Sequence, residues 1–180
     1  MVHSIVFPNV LSQVQDIFKE GAEADVVLPA TLTLLGETLE CDRCFIYLRH
    51  PATKMGKVPY CWRRNSDIPI IWDADWKPEP PSLPDQDPMF AAALRAEPSI
   101  FVEDVETASP QVLNRTFEQQ HFGHTALIHA HLCQDGQLWG VLQPCVLHHP
   151  RQWTAADREL MAVVEREILP FAIAYVKAAV

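Results

Sequence analysis

The order of patterns along this chain predicts an α+β fold, an antiparallel sheet with helices, the first and last among them, on one face and a loop-rich side on the other. Three observations carry that prediction. A leucine-striped helix pattern leads into two strand patterns, a proline-rich middle follows, and two longer strands joined through Asp135-Gly136 run into a long terminal helix pattern. Asp-Gly between hydrophobic runs is a strong hairpin signal, because the tight two-residue turn needs positive φ and both residues tolerate it.

Val10, Val14, Ile17 and Phe18 recur at helical spacing in an otherwise polar segment, so residues 1–24 read as a peripheral N-terminal helix with a stripe suited to a partner helix. Leu28, Leu32, Leu35 and Leu39 fall four, three and four residues apart on one face, which predicts a helix over about 26–40. Pro29 fits its first turn, where a missing N–H costs nothing. Arg43 to Arg49 and Val58 to Arg64 have the β-branched and aromatic content of strands, with 51–57 as their turn. Eight of the fifteen prolines fall between Pro51 and Pro88, so a long irregular excursion is expected there, and Trp72 and Trp76 within it argue for a packed loop. Met89 to Ala96 reads as a short helix, Ser99 to Glu103 as a short strand, and Pro110 to Gln120 as a helix opening on proline. The central strands are placed at about 124–133 and 137–147. Thr154 is a good N-cap with Asp157 three residues on, and Leu160, Val163, Val164, Ile168, Phe171 and Tyr175 mark the apolar face of the last helix, which Pro170 is expected to kink or end.

A chain of 180 residues with 48% hydrophobic and 21% charged residues fits a single folded domain, with 25–180 as its body behind the N-terminal helix. A net charge of −9 offers no electrostatic footprint for nucleic acid or an anionic membrane. The N-terminus lacks the basic and apolar blocks of a secretory signal, and no apolar run approaches the ~20 residues of a membrane span, so a cytoplasmic protein is expected. Five cysteines, an odd number at irregular spacing, read as reduced thiols, and Cys41 and Cys44 as structural.

No glycine-rich phosphate loop, nucleophile elbow or HExxH motif appears, so no catalytic residue is assigned. The histidines His121, His124, His129 and His131 invite a metal reading, and His129 and His131 share one strand face. No third ligand is placed by spacing, so no metal centre is assigned; this face points into a ligand cavity or forms a polar sheet surface.

Asp87-Pro88-Met89-Phe90 resembles the Asp-Xaa-Cys-Phe segment of the bilin-binding GAF domains of cyanobacteriochromes and phytochromes. Cys41-Asp42-Arg43 with Phe45-Ile46-Tyr47 is similar to that family's helix end and first strand. Leu138-Trp139-Gly140-Val141-Leu142, followed by Pro150-Arg151-Gln152-Trp153, is similar to its stretch before the last helix. The resemblance implies a GAF-like fold with the ligand on the sheet face opposite the terminal helices, beneath residues 65–123. It also places Met89 where the family carries a cysteine and, counting back from Leu127, Leu113-Asn114 where it carries a Cys-His pair. A thioether cannot become a thiolate, so no covalently bound chromophore is expected.

Asp87 has two readings: the family's carboxylate beside pyrrole nitrogens, or a plain N-cap for the following helix. The candidate ligand-pocket residues are Asp87, Met89, Phe90, Trp72, Trp76, Leu113, Asn114, His129 and His131. By this resemblance the chain is a non-catalytic sensory or scaffolding module working through small-ligand or protein binding. One alternative is a non-covalent tetrapyrrole (bilin) carrier gripping by Asp87 and by stacking on Trp72 or Trp76. Another is a free methionine sulfoxide reductase, whose cysteine spacing Cys61, Cys133 and Cys145 do not resemble. The resemblance further implies a homodimer through the terminal helices and a protein partner in a signalling or photosynthesis-related pathway, while the charge balance leaves neither nucleic acid nor membrane as an expected partner.

Overall fold

Strand alternation decides the architecture, because each central strand turns consecutive side chains to opposite faces and both faces are covered. In the computed structural model, which describes residues 7–19 and 21–179, α1 (Phe7–Ile17) and α2 (Ala24–Thr38) lead into β1 (Arg43–His50) and β2 (Met55–Arg63). The middle holds β3 (Lys77–Pro78), α3 (Leu83–Gln86), α4 (Pro88–Leu94), β4 (Ile100–Val102) and α5 (Arg115–His121). The hairpin β5 (Ala126–Gln134) and β6 (Gln137–Val146) precedes α6 (Ala155–Ala178). The first six residues of the expected N-terminal helix, with Glu20 and Val180, lie outside the described residues.

The strands form one sheet in the order β3-β2-β1-β6-β5-β4, with antiparallel pairing throughout. Cys44, Ile46 and Leu48 of β1 and Ala126, Ile128, Ala130 and Leu132 of β5 face α2 and α6 in the main core. Leu28, Leu32 and Leu35 meet them at 0–1% exposure, each contributing roughly 1.5–3 kcal/mol by leaving water. Phe45, Leu127 and Cys145 point the other way, under the crossover segments. Asp135 and Gly136 both take positive φ, 54° and 73°, at the expected hairpin. Among the described residues no helix is long and apolar enough to cross a membrane.

Four features depart from the sequence expectation. β2 begins at Met55, three residues early, because Gly56 and Lys57 pair with Arg49 and Leu48. Inside the proline-rich excursion, Lys77–Pro78 adds an edge strand, where proline's missing donor faces outward, and Leu83–Gln86 forms one helical turn. The helix expected from Pro110 starts only at Arg115: Val112 and Leu113 turn back onto Ser109 O, and the Asn114 side chain caps by accepting from Phe117 N–H. Of the two outcomes expected at Pro170, a kink or an end, the end does not occur, since Ile168, Ala172, Ile173 and Val176 are buried on both sides of it. That burial offsets the one lost backbone bond.

Candidate functional site

Asp87 is set at the junction of α3 and α4, where its Oδ1 accepts from Met89 N–H at 3.0 Å and Phe90 N–H at 3.2 Å. Both are donors that a helix start leaves without partners, and Pro88 occupies the position needing none. Burial pushes this carboxyl up to about 6; the Phe90 N–H bond opposes the rise and the nearby Glu118 charge adds to it. The cap thus commits one of the two carboxyl oxygens, Oδ1.

Behind the cap, Met89 packs in one buried cluster with Phe45, Val102, Val105, Leu113 and Leu127. Met89 is 3% exposed and Leu113 2%, so side chains occupy the space beneath α4 against the sheet. Phe90 lies edge-on to Tyr47 at 6.2 Å. Asn114 Nδ2 donates to Gln86 O at 2.9 Å, fastening the start of α5 to the residue before Asp87. Asp87, Met89, Phe90, Leu113 and Asn114 therefore do come together.

His129 and His131 lie on the same sheet face, bound to each other. His131 Nδ1 is 2.7 Å from Glu97 O, which can only accept, so that nitrogen carries the proton and His131 Nε2 accepts from His129 Nδ1 at 2.9 Å. Burial lowers both pKa values, His129 well below its ordinary value, which suits two neutral rings. Among the described residues no three His, Cys, Asp or Glu side chains converge as a metal ion would require.

The two loop tryptophans are not brought to Asp87. Trp72 is 57% exposed, and Trp76 packs at 6.4 Å on Tyr175 of α6, among the residues of the helix-side core. The excursion passes around the sheet edge to pair β3 with β2, and this carries Trp76 to the helix side.

Sequence reasoning missed two buried polar constellations. Arg43, 1% exposed, donates to Pro69 O at 2.7 Å and Phe122 O at 2.9 Å, and its Nη2 lies 2.9 Å from His124 Nε2. Burial disfavours a charged His124, while Cys145 and the Glu118 carboxylate in contact with Nδ1 pull its pKa up. The guanidinium decides for a neutral ring protonated on Nδ1, because an imidazolium has no acceptor to offer it. At the other end of β1, Arg49 Nε meets Glu79 Oε1 at 2.6 Å and the Tyr47 hydroxyl donates to the same oxygen at 2.9 Å. The only signal for either was an arginine at each end of an apolar strand. Cys41, Cys44 and Cys145 are buried; burial holds the Cys41 and Cys44 thiols far above their usual range, so neither provides a nucleophile.

Around these sites the motif residues have structural work. Asp42 Oδ2 accepts from Leu147 N–H at 2.8 Å, and Trp153 Nε1 donates to Val102 O at 3.0 Å. Gly140 lies so close to β1 that a Cβ there would fall 2.6 Å from Tyr47 O. Residues 23–168 match the profile of the GAF domain. The chain belongs to the GAF domain family. Solved structures similar to this GAF domain include that of an Acinetobacter phosphoenolpyruvate-protein phosphotransferase, at TM-score 0.69 and 11% identity over 94% of this chain and 93% of that one. The phycoerythrobilin-bound GAF domain of a cyanobacterial phytochrome is similar at TM-score 0.71 and 18% identity, over 94% and 96% of the two chains. The free methionine-R-sulfoxide reductase of Neisseria meningitidis, in complex with its substrate, is similar at TM-score 0.66 and 17% identity, over 94% and 89%. At such identities the likeness is one of fold. Among curated protein sequences none matches the chain.

Proposed function

We propose that this GAF domain is a non-catalytic sensory or scaffolding module that has lost the covalent chromophore of the bilin receptors it resembles, and that acts in the cytoplasm as a homodimer through its terminal helices, with a protein partner in a signalling or photosynthesis-related pathway. One observation carries the reading: Met89 and Leu113, which the resemblance places at the family's two tethering positions, are packed together in a buried apolar cluster. On that placement, two side chains without thiolate chemistry fill the volume where a tether would form. The capping role of Asp87 supports the same reading, since it gives the carboxylate a structural task that needs no ligand, two backbone donors being held by Oδ1. The rival reading, a non-covalent tetrapyrrole carrier, draws on the bilin in the cyanobacterial relative and needs this cluster to open.

The test is co-expression with bilin-synthesis enzymes, followed by melting curves of the purified protein with a panel of tetrapyrroles and cyclic nucleotides. A colourless protein with an unchanged Tm is expected, because a ligand that binds only the folded state raises it. Visible absorbance, or a Tm rise of several degrees with any tetrapyrrole, would overturn the closed-pocket reading in favour of the carrier.

A further inference from the structure

On the helix side of the sheet, where α2 begins and α6 ends, an open cavity of about 670 Å3 is lined by Trp76, Phe171 and Tyr175 together with Glu23, Asp25 and Lys57. This volume lies within the usual range of small-ligand pockets, roughly 300–1,000 Å3. Its aromatic rings are half-buried, neither spent in the core nor free in water. Trp76 and Tyr175 stand 6.4 Å apart at 42°, and Tyr60 meets Tyr175 edge-on at 6.0 Å and 71°. Trp76 and Tyr175 both line the cavity wall. The Tyr60 hydroxyl donates to Asp25 Oδ1 at 3.0 Å, which holds that carboxylate beside the rings.

The charges around the cavity have a sign. Two carboxylates stand against one ammonium, and Lys57 carries its charge on a flexible stem able to swing outward. Ala178 and Ala179 bring the C-terminal end of α6, the negative end of its dipole, to the same wall. The opposing positive end of α2 is answered by Glu23 and Asp25 at its own first turn. Carboxylates with aromatic faces disfavour an anion. A strongly hydrated metal ion or primary ammonium would lose water that flat rings cannot replace, whereas a weakly hydrated alkylated ammonium gains from the negative ring faces.

We propose that this cavity is a binding site for a small quaternary ammonium ion, its cationic head against Trp76 and Tyr175 and its countercharge supplied by Glu23 and Asp25. A second cavity of about 220 Å3 shares Trp76 and Ala179 with the first and is lined also by Met55 and Val176, which leaves room for an alkyl substituent. The site is on the opposite face of the sheet from Asp87, so it stands apart from whether the cluster beneath α4 is closed.

Calorimetric titration of the full chain with choline chloride tests the site, against 3,3-dimethylbutan-1-ol, which has the same shape with carbon in place of the charged nitrogen, and against sodium chloride at equal ionic strength. Choline is expected to bind about tenfold more tightly than its neutral counterpart, the size of a partly desolvated cation–ring contact. Trp76→Leu is expected to weaken choline about tenfold, Trp76→Phe to retain most of the affinity, and Asp25→Asn to weaken it about threefold. Equal binding of choline and the alcohol, or no heat from choline beyond the salt control, overturns the proposal. So does an unchanged affinity in Trp76→Leu, or a second copy of the chain covering Trp76 and excluding choline. Where Trp76→Leu fails to fold, Asp25→Asn alone decides, and unchanged choline affinity there overturns the site.

Discussion

Burial sets the behaviour of two carboxyl groups in this chain, and both respond to pH in the same direction. Asp87 is raised from 3.8 to about 6, chiefly by burial. Glu165 on α6 is raised from 4.5 to about 7, again by burial, with a Ser99 hydrogen bond opposing the rise. A folded-state pKa above the unfolded one means that the folded chain takes up the proton. The stabilisation is complete below about pH 4 and is lost as pH rises through 6 for Asp87 and 7 for Glu165. Asp87→Asn keeps a capping oxygen and Glu165→Gln keeps the shape, yet neither titrates. In urea denaturation each variant should gain on the parent between pH 4.5 and 7.5, by up to about 3 kcal/mol, since one pKa unit is about 1.4 kcal/mol. Parallel stability profiles for parent and variants would show that these carboxyls ionise freely. Of this residue-level picture the Asp87 cap was legible, because Asp-Pro before an apolar run is a local signal. The ionic roles of Arg43 and Arg49 were not, since their partners are 25 or more residues away in sequence.

At the scale of elements, local periodicity revealed the two central strands, their hairpin and α2, because each has a strong apolar stripe or an unmistakable turn. It failed where a later residue outcompeted an earlier signal. Pro110 suggested a helix start, but Asn114 supplies the cap and the helix waits for it. Pro170 allowed a kink or a stop, and the packing on both sides carries α6 past the stop. Trp76 was read as a pocket residue because nothing local reveals that a two-residue edge strand turns it toward α6. Close approach of strands gives a sharper expectation. A Cβ on Gly140 would meet the Tyr47 carbonyl oxygen of β1 at 2.6 Å, an atom fixed by the sheet. Gly140→Ala is therefore expected to cost about 2–4 kcal/mol, measured as a fall in the denaturant midpoint with an unchanged slope. An effect under about 0.5 kcal/mol, the level of ordinary surface changes, would mean that the strands separate easily.

For the whole molecule, the helices on one sheet face were legible from element order and the crossover segments on the other from the family resemblance, and the two clusters on either side of the sheet agree. What order could not reveal was the state of the ligand face, because filling depends on how Met89, Leu113 and Phe45 meet across about 70 residues of chain. The proposed dimer belongs to this scale. Sedimentation velocity at micromolar concentration should give a species of about twice 20.4 kDa, and Leu11→Glu, at a 39% exposed position of α1, should return it to one chain. A single-chain mass at every concentration would remove the dimer.

The Arg43 guanidinium has a mechanical consequence. One side chain rooted in β1 grips Pro69 from the proline-rich excursion, Phe122 after α5, and the His124 ring ahead of β5. Those two crossover loops are thereby fastened to one side chain of the sheet, so removing the guanidinium would release both anchorages at once.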